Sequence, residues 1–168
     1  MDPQLQELLD KKACEEVLMR YGRTQDWLDE PGQGDCFWPD ADVDFGFFKG
    51  NGTDWVRTVM EHERAAIRRW HMSTSVMVQI DGNHAKAECY GIAAGSSEVD
   101  GKLMDSVYGG RYLDELEKRN GEWRISKRMY ILDWSQQFPN QLEASTGEDF
   151  ALHILNIAEP GHELYRPL

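Results

Sequence analysis

Residues 69–80 read RWHMSTSVMVQI and run into Asp81-Gly82, and residues 84–98 read HAKAECYGIAAGSSE and run towards Asp100-Gly101. Residues 102–118 read KLMDSVYGGRYLDELEK ahead of Asn120-Gly121, and residues 122–135 read EWRISKRMYILDWS. Asp-Gly and Asn-Gly suit two-residue hairpin turns, because such turns need positive φ, which Gly, Asn and Asp adopt at little cost. Three of them at hairpin spacing predict a four-stranded antiparallel meander. A flat strand over 102–118, at about 3.3 Å per residue, would exceed about 50 Å. The sheet must therefore coil or bend, and Gly109-Gly110 is the expected place for a bend or bulge.

Upstream of the meander, residues 4–28 predict an amphipathic helix. Leu5, Leu8, Leu9, Ala13, Val17, Leu18, Tyr21 and Leu28 recur at three-to-four spacing, with Lys11, Lys12, Glu15, Glu16 and Arg20 between them. Pro31-Gly32-Gln33-Gly34 is read as its stop, and Val43–Phe48 as a strand. Asn51 or Thr53 caps a second helix with Val56, Val59, Met60 and Ile67 on one face, ending near Arg68. Helices followed by a curved meander predict an α+β fold in which the helices cover the concave face around an interior pocket. One domain is expected over residues 1–136, and 137–168 form a C-terminal extension packing on it or on a neighbouring subunit. That extension has one apolar stretch: Phe150, Leu152, Ile154, Leu155 and Ile157.

The 168 residues carry 18 Lys and Arg against 30 Asp and Glu, a formal net charge of −12. Such a surface repels phosphate backbones and anionic lipid, so nucleic-acid and membrane partners are disfavoured. No stretch approaches the roughly 20 apolar residues of a membrane span. The opening Met-Asp-Pro-Gln lacks the basic and apolar regions of a secretory signal. Cys14, Cys36 and Cys89 are odd in number, without a CxxC, which suits reduced thiols in the cytoplasm.

Two residues stand out for chemistry. Asp26 follows Gly22 by four residues and Leu18 by eight, which puts it on the inward side of the first helix. The alternative is an acid at a frayed helix end, facing water. His71 opens the meander on a strand face with Ser73, Ser75, Met77 and Gln79, a mixture that suits a semi-polar cavity. The opposite set, Met72, Thr74, Val76, Val78 and Ile80, is more apolar and is expected to form an outer face that a second copy covers. A lone His is more often satisfied by a nearby hydroxyl. An acid on the covering helix and a His on the first strand would instead make a base, since a carboxylate on one ring nitrogen raises the basicity of the other. Tyr21, on the inner stripe of the helix, would donate to substrate. Arg128 would hold a leaving anion if inward, and otherwise make a surface ion pair.

Other signals fail on spacing. Asp40-x-Asp42-x-Asp44 starts like a calcium loop, but Phe45 replaces the glycine at position six and Asn51 the glutamate at position twelve. His62 and His71 lie nine apart with no HExxH, so no metal is expected.

Tyr21-Gly-Arg-Thr-Gln-Asp26, Phe37-Trp-Pro-Asp-Ala41, His71, Gly110-Arg-Tyr112 and Asn120-Gly-Glu-Trp-Arg-Ile-Ser-Lys-Arg128 occur here in one order and spacing. Together they resemble the SnoaL-like group of the nuclear transport factor 2-like superfamily over roughly residues 5–136. The resemblance implies a cone-shaped α+β barrel with a deep apolar pocket. It also implies an Asp–His pair that abstracts a proton next to a leaving group, with Asp26 and His71 at the matching positions. Arg128 falls where the dehydrochlorinase members have a leaving-group arginine, and Tyr21 where dehydratase members have a tyrosine. The serine-rich stretch after His71 departs from the common pattern, in which an Asn often follows. The expected activity is that of a lyase or isomerase, without cofactor, on a hydrophobic cyclic small molecule. The alternative is a non-catalytic ligand-binding protein or the small subunit of a ring-hydroxylating dioxygenase. A homo-oligomer, dimer or trimer, is expected.

Overall fold

The computed structural model describes residues 2–141 and 164–166. The chain opens with α1 (Pro3–Asp26), whose N-terminus is capped by the Asp2 carboxylate accepting from the Gln4 amide, with Pro3 in the first turn. Cys14, Val17, Leu18 and Tyr21 form its buried stripe. The helix stops two residues earlier than its periodicity suggests, because Leu28 takes a left-handed conformation at φ 50°. Residues read as a mere stop then form a short helix, α2 (Glu30–Gly34), capped by Asp29.

The first strand, β1 (Phe37–Asp44), starts earlier than expected and ends before the Phe45–Phe48 stretch. Gly46 at φ 77°, its amide donating to Asp44 Oδ1 at 2.8 Å, turns the chain there into the two-residue β2 (Lys49–Gly50). Asn51 caps α3 (Gly52–Ala65) by accepting from the Asp54 amide at 2.8 Å. Its inward stripe is Trp55, Val56, Val59, Met60 and Glu63.

The meander follows as β3 (Arg68–Asp81), β4 (His84–Val99), β5 (Lys102–Arg119) and β6 (Glu122–Pro139). Two hairpins turn where expected, with Asp100 and Gly101 at φ 51° and 74°, and Asn120 and Gly121 at φ 54° and 87°. The first turn is shifted by one residue: Asp81 still pairs with His84, so the loop is Gly82-Asn83. The sheet order is β2-β1-β6-β5-β4-β3. It is curved and does not close, and it is mixed rather than purely antiparallel, because β1 runs parallel to β6. Register shifts at Gly109/Gly110, where a bend was expected, and again at Glu115/Leu116.

One expectation about β3 is overturned. A bulge between Thr74 and Met77, with Ser75 at φ 52°, inserts an extra residue and reverses which side chains face inward. Before it His71 and Ser73 face inward; after it Val76, Val78 and Ile80 do, packed against the core. Met77 is 62% exposed on the convex face. The outer apolar set is therefore Trp70, Met72 and Met77 with Leu113, Met129 and Trp134 from other strands.

The core lies between α1, α3 and the concave face: Leu18, Met60, Cys89, Leu116 and Ile125 are fully buried. Each large apolar side chain so buried contributes about 1.5–3 kcal/mol. The three cysteines are free and buried, and burial pushes each thiol up to about 12, so they stay protonated. At the far end of the chain the Tyr165 ring meets Trp27 edge-on at 5.5 Å, and its hydroxyl donates to Asp29 at 2.7 Å. The apolar stretch from Phe150 to Ile157 lies outside the described residues. Among the described residues no helix is long and apolar enough to cross a membrane.

Candidate active site

A cavity of about 450 Å³ opens on the concave face between α1, α3 and strands β4 to β6. Its walls are largely aromatic: Phe45, Trp55, Tyr108, Tyr112 and Tyr130. Trp55 stacks on Phe45 at 3.9 Å, and Phe45 stacks on Tyr130 at 5.2 Å, forming one continuous apolar surface. Phe47, 79% exposed, stands at the rim. The lining also carries polar side chains: Tyr21, Gln25, Thr58, His62, Glu63 and His71.

Asp26 and His71 meet. α1 can approach β3 closely because Gly22, one turn before Asp26, has no side chain; a Cβ at Gly22 would lie 3.0 Å from the His71 Cβ. Asp26 Oδ1 sits 2.8 Å from His71 Nδ1, and Oδ2 accepts the His71 backbone amide at 3.1 Å. Two bonds from one carboxylate fix both the ring and the strand that carries it. The proton on Nδ1 is thereby held towards Asp26, leaving Nε2 as the free basic atom.

Nε2 is not open on every side. Glu63 Oε1 lies 3.5 Å from it, and both side chains are about nine-tenths buried. Burial alone disfavours the imidazolium, but the bond to Asp26 and the charge of Glu63 outweigh it, and the His71 pKa is raised. Burial likewise pushes Glu63 up, against the opposing pull of His71, His62 and Arg69. Glu63 was missed in the sequence because it stands in the charged run Glu61-His62-Glu63-Arg64. The signal was its spacing, since it falls three residues after Met60 and four after Val59 on the apolar stripe of its helix.

Tyr21 lines the same cavity, 2% exposed, with burial raising its hydroxyl pKa so that it remains a donor. Arg128 is inward but does not line the cavity. Its Nε and Nη2 donate to Asp114 at 2.7 and 2.8 Å, and its guanidinium lies 4.1 Å from the Tyr21 ring and 4.3 Å from the Tyr112 ring. Burial opposes its charge, yet the Asp114 carboxylate outweighs that and raises its pKa. Nη1 has no hydrogen-bond partner among the described residues, and the guanidinium as a whole lies over the tyrosine rings. The structure thus joins Asp26 to His71, places Tyr21 in the lining of the cavity that His71 borders, and leaves Arg128 out of that lining.

A larger depression, about 550 Å³, lies on the convex face among Met77, Lys86, Leu113, Glu115, Lys127 and Met129. It contains no acid–His pair, so volume does not decide between the two. Among the described residues no group of His, Cys, Asp and Glu is arranged to hold a metal ion.

No curated protein matches the sequence. Solved structures do match in fold. A candidate scytalone dehydratase from Novosphingobium aromaticivorans superposes with a TM-score of 0.68 at 18% identity, over 80% of this chain and 91% of that one. The hexachlorocyclohexane dehydrochlorinase LinA-type3 from Novosphingobium barchaimii gives 0.68 at 16% identity, over 80% and 94%. A nuclear transport factor 2-like protein with a cystatin-like fold, also from Novosphingobium aromaticivorans, gives 0.63 at 21% identity, over 77% and 86%. At these identities the likeness establishes the fold. A sequence profile described as the SnoaL-like domain matches residues 6–129. With that match spanning most of the chain, this protein belongs to the SnoaL-like domain family.

Proposed function

We propose that this protein is a cofactor-independent lyase or isomerase acting on a hydrophobic cyclic small molecule. The observation that carries the reading is the 2.8 Å contact between Asp26 and the Nδ1 of His71, which lines an aromatic cavity. His71 Nε2 removes a proton from a carbon made acidic by a neighbouring carbonyl or similar group, and Asp26 stabilises the imidazolium that forms. Tyr21 donates to the oxygen on which negative charge develops. The flat aromatic walls suit a planar ring system, in keeping with dehydratase and dehydrochlorinase structures among the fold relatives. Three reduced, buried thiols fit a reducing compartment, and we place the protein in the cytoplasm.

The test is kinetic and spectroscopic. His71→Ala and Asp26→Asn should each lower turnover by about 10²-fold or more, while staying folded. The double variant should be scarcely worse than the weaker single, because the two residues act as one unit. The His71 pKa, followed by NMR, should fall in Asp26→Asn. A His71→Ala protein that turns over a verified substrate at the wild-type rate would favour a ligand-binding module or an oxygenase small subunit instead.

A further inference from the structure

We propose that Tyr165, from the far end of the chain, is a positioning residue for the Asp26–His71 pair: with Arg166 it latches the helix end from which Asp26 reaches His71. This rests on the reading of that pair as the base. Asp26 is the last residue of α1, where a helix frays most readily because its final carbonyls have no partner within it. The chain leaves the helix in a tight turn. The Leu28 amide donates to the Gln25 carbonyl at 3.1 Å and the Asp29 amide to the Thr24 carbonyl at 2.8 Å, with Leu28 left-handed at φ 50°. Glycine commonly fills that position, since a Cβ there crowds the carbonyl that follows. A turn of this kind built on leucine persists only where its surroundings hold it.

Tyr165 is such a hold. Its ring meets Trp27 edge-on at 5.5 Å, its hydroxyl donates to Asp29 Oδ2 at 2.7 Å, and the Arg23 guanidinium lies over the ring at 5.0 Å. Arg23 also donates through Nη2 to the Arg166 carbonyl. Arg23 and Trp27 stand one helical turn apart and Asp29 follows Leu28, so the grip falls on both sides of Asp26. It extends into α2, because the other Asp29 oxygen, Oδ1, accepts the Gly32 amide at 3.0 Å and caps that helix. Tyr165 does not line the cavity, so it acts on the base from outside. The position of this helix end governs both bonds of the Asp26 carboxylate, at 2.8 Å to His71 Nδ1 and at 3.1 Å to the His71 amide. Without the latch the carboxylate wanders, and a base whose partner wanders is weaker and less often aligned.

The His71 amide is a direct reporter, because β3 is an edge strand and this amide donates to Asp26. In Tyr165→Ala it should exchange with deuterium oxide about tenfold faster or more. The His71 pKa, followed by NMR, should fall, because the Asp26 bond helps to raise it. Turnover is read on nitrobenzisoxazole, a flat aromatic probe. A base takes the proton from its isoxazole carbon, the C–H pair completes a nitrile, and the N–O bond breaks to leave a phenolate. Its kcat should fall about tenfold or more and its KM stay within about twofold, since the cavity lining is untouched. Tyr165→Phe keeps the ring and gives up the Asp29 bond; it should shift the same readouts less, and it decides alone if the alanine protein does not fold. Lys118→Met removes the 2.7 Å bond to Asp10 at the other end of α1 and should leave the His71 readouts unmoved. Unmoved exchange and pKa in folded Tyr165→Ala, or an equal change in Lys118→Met, would overturn the latch. Wild-type protein inert towards the probe, with the His71 readouts moving as expected, would overturn the base reading and leave the latch standing.

Discussion

Two buried basic side chains, Arg128 and His71, are handled in opposite ways. Arg128 is wholly enclosed and held by a two-point contact with Asp114, so its charge is permanent and its role is to brace Tyr21 and Tyr112. Arg128→Met should destabilise the fold by about 3–5 kcal/mol, because Asp114 would be left buried and unpaired; adding Asp114→Leu should recover much of that. Urea denaturation of the two variants checks it. His71 is fixed on one nitrogen only, so its charge can change. Its folded pKa is raised, so its contribution to stability is complete below the ordinary value of 6.5 and is lost as pH rises through the folded value. The stability difference between wild type and His71→Gln should therefore shrink as pH rises above about 6.5 and through the raised folded value. Asp26 and His71 were legible in the sequence because helical and strand periodicities point each of them inward. Glu63 was hidden by its charged neighbours, although its helical spacing was correct, and for Arg128 the sequence leaves inward and surface placements open and does not show its capture, since its partner Asp114 lies on another strand.

Among the elements, β3 depends on a single inserted residue. Deleting Ser75 would put His71 or the Val76, Val78, Ile80 set on the wrong face, each misplaced side chain costing up to about 1.5–3 kcal/mol. The deletion should give protein that is unfolded or at least about 3 kcal/mol less stable in urea, whereas Ser75→Gly, suited to φ 52°, should stay within about 1 kcal/mol of wild type. The hairpins were readable because a dipeptide carries its own turn preference. The bulge was not, because Ser has no such preference and the left-handed φ is imposed by the need to bury residues on both sides of it. The same holds for β1: Gly46 marks its end locally, but its start at Phe37 is set by pairing with Ile125, far away in sequence.

At the scale of the whole molecule, the parallel β1–β6 pair was beyond sequence reasoning because no turn signal joins the two strands. The convex face leaves Trp70, Met72, Met77, Leu113, Met129 and Trp134 exposed, and large apolar side chains exposed on one face suit an interaction surface. We expect it to be covered by a second copy, and sedimentation at micromolar concentration should give a multiple of 19.4 kDa. Replacing Met77 and Met129 by Lys should shift that equilibrium to the monomer while leaving the concave face intact. Among the described residues the sheet ends in two edge strands, β2 and β3, that do not pair with each other. In a closed barrel the girth of the interior is set by strand number, and no guest can enlarge it without tearing rungs from the ladder. Here the chain passes from one edge strand to the other through α3, between Asn51 and Ala66, so the girth of the pocket is set by how that helix packs and not by a count of strands.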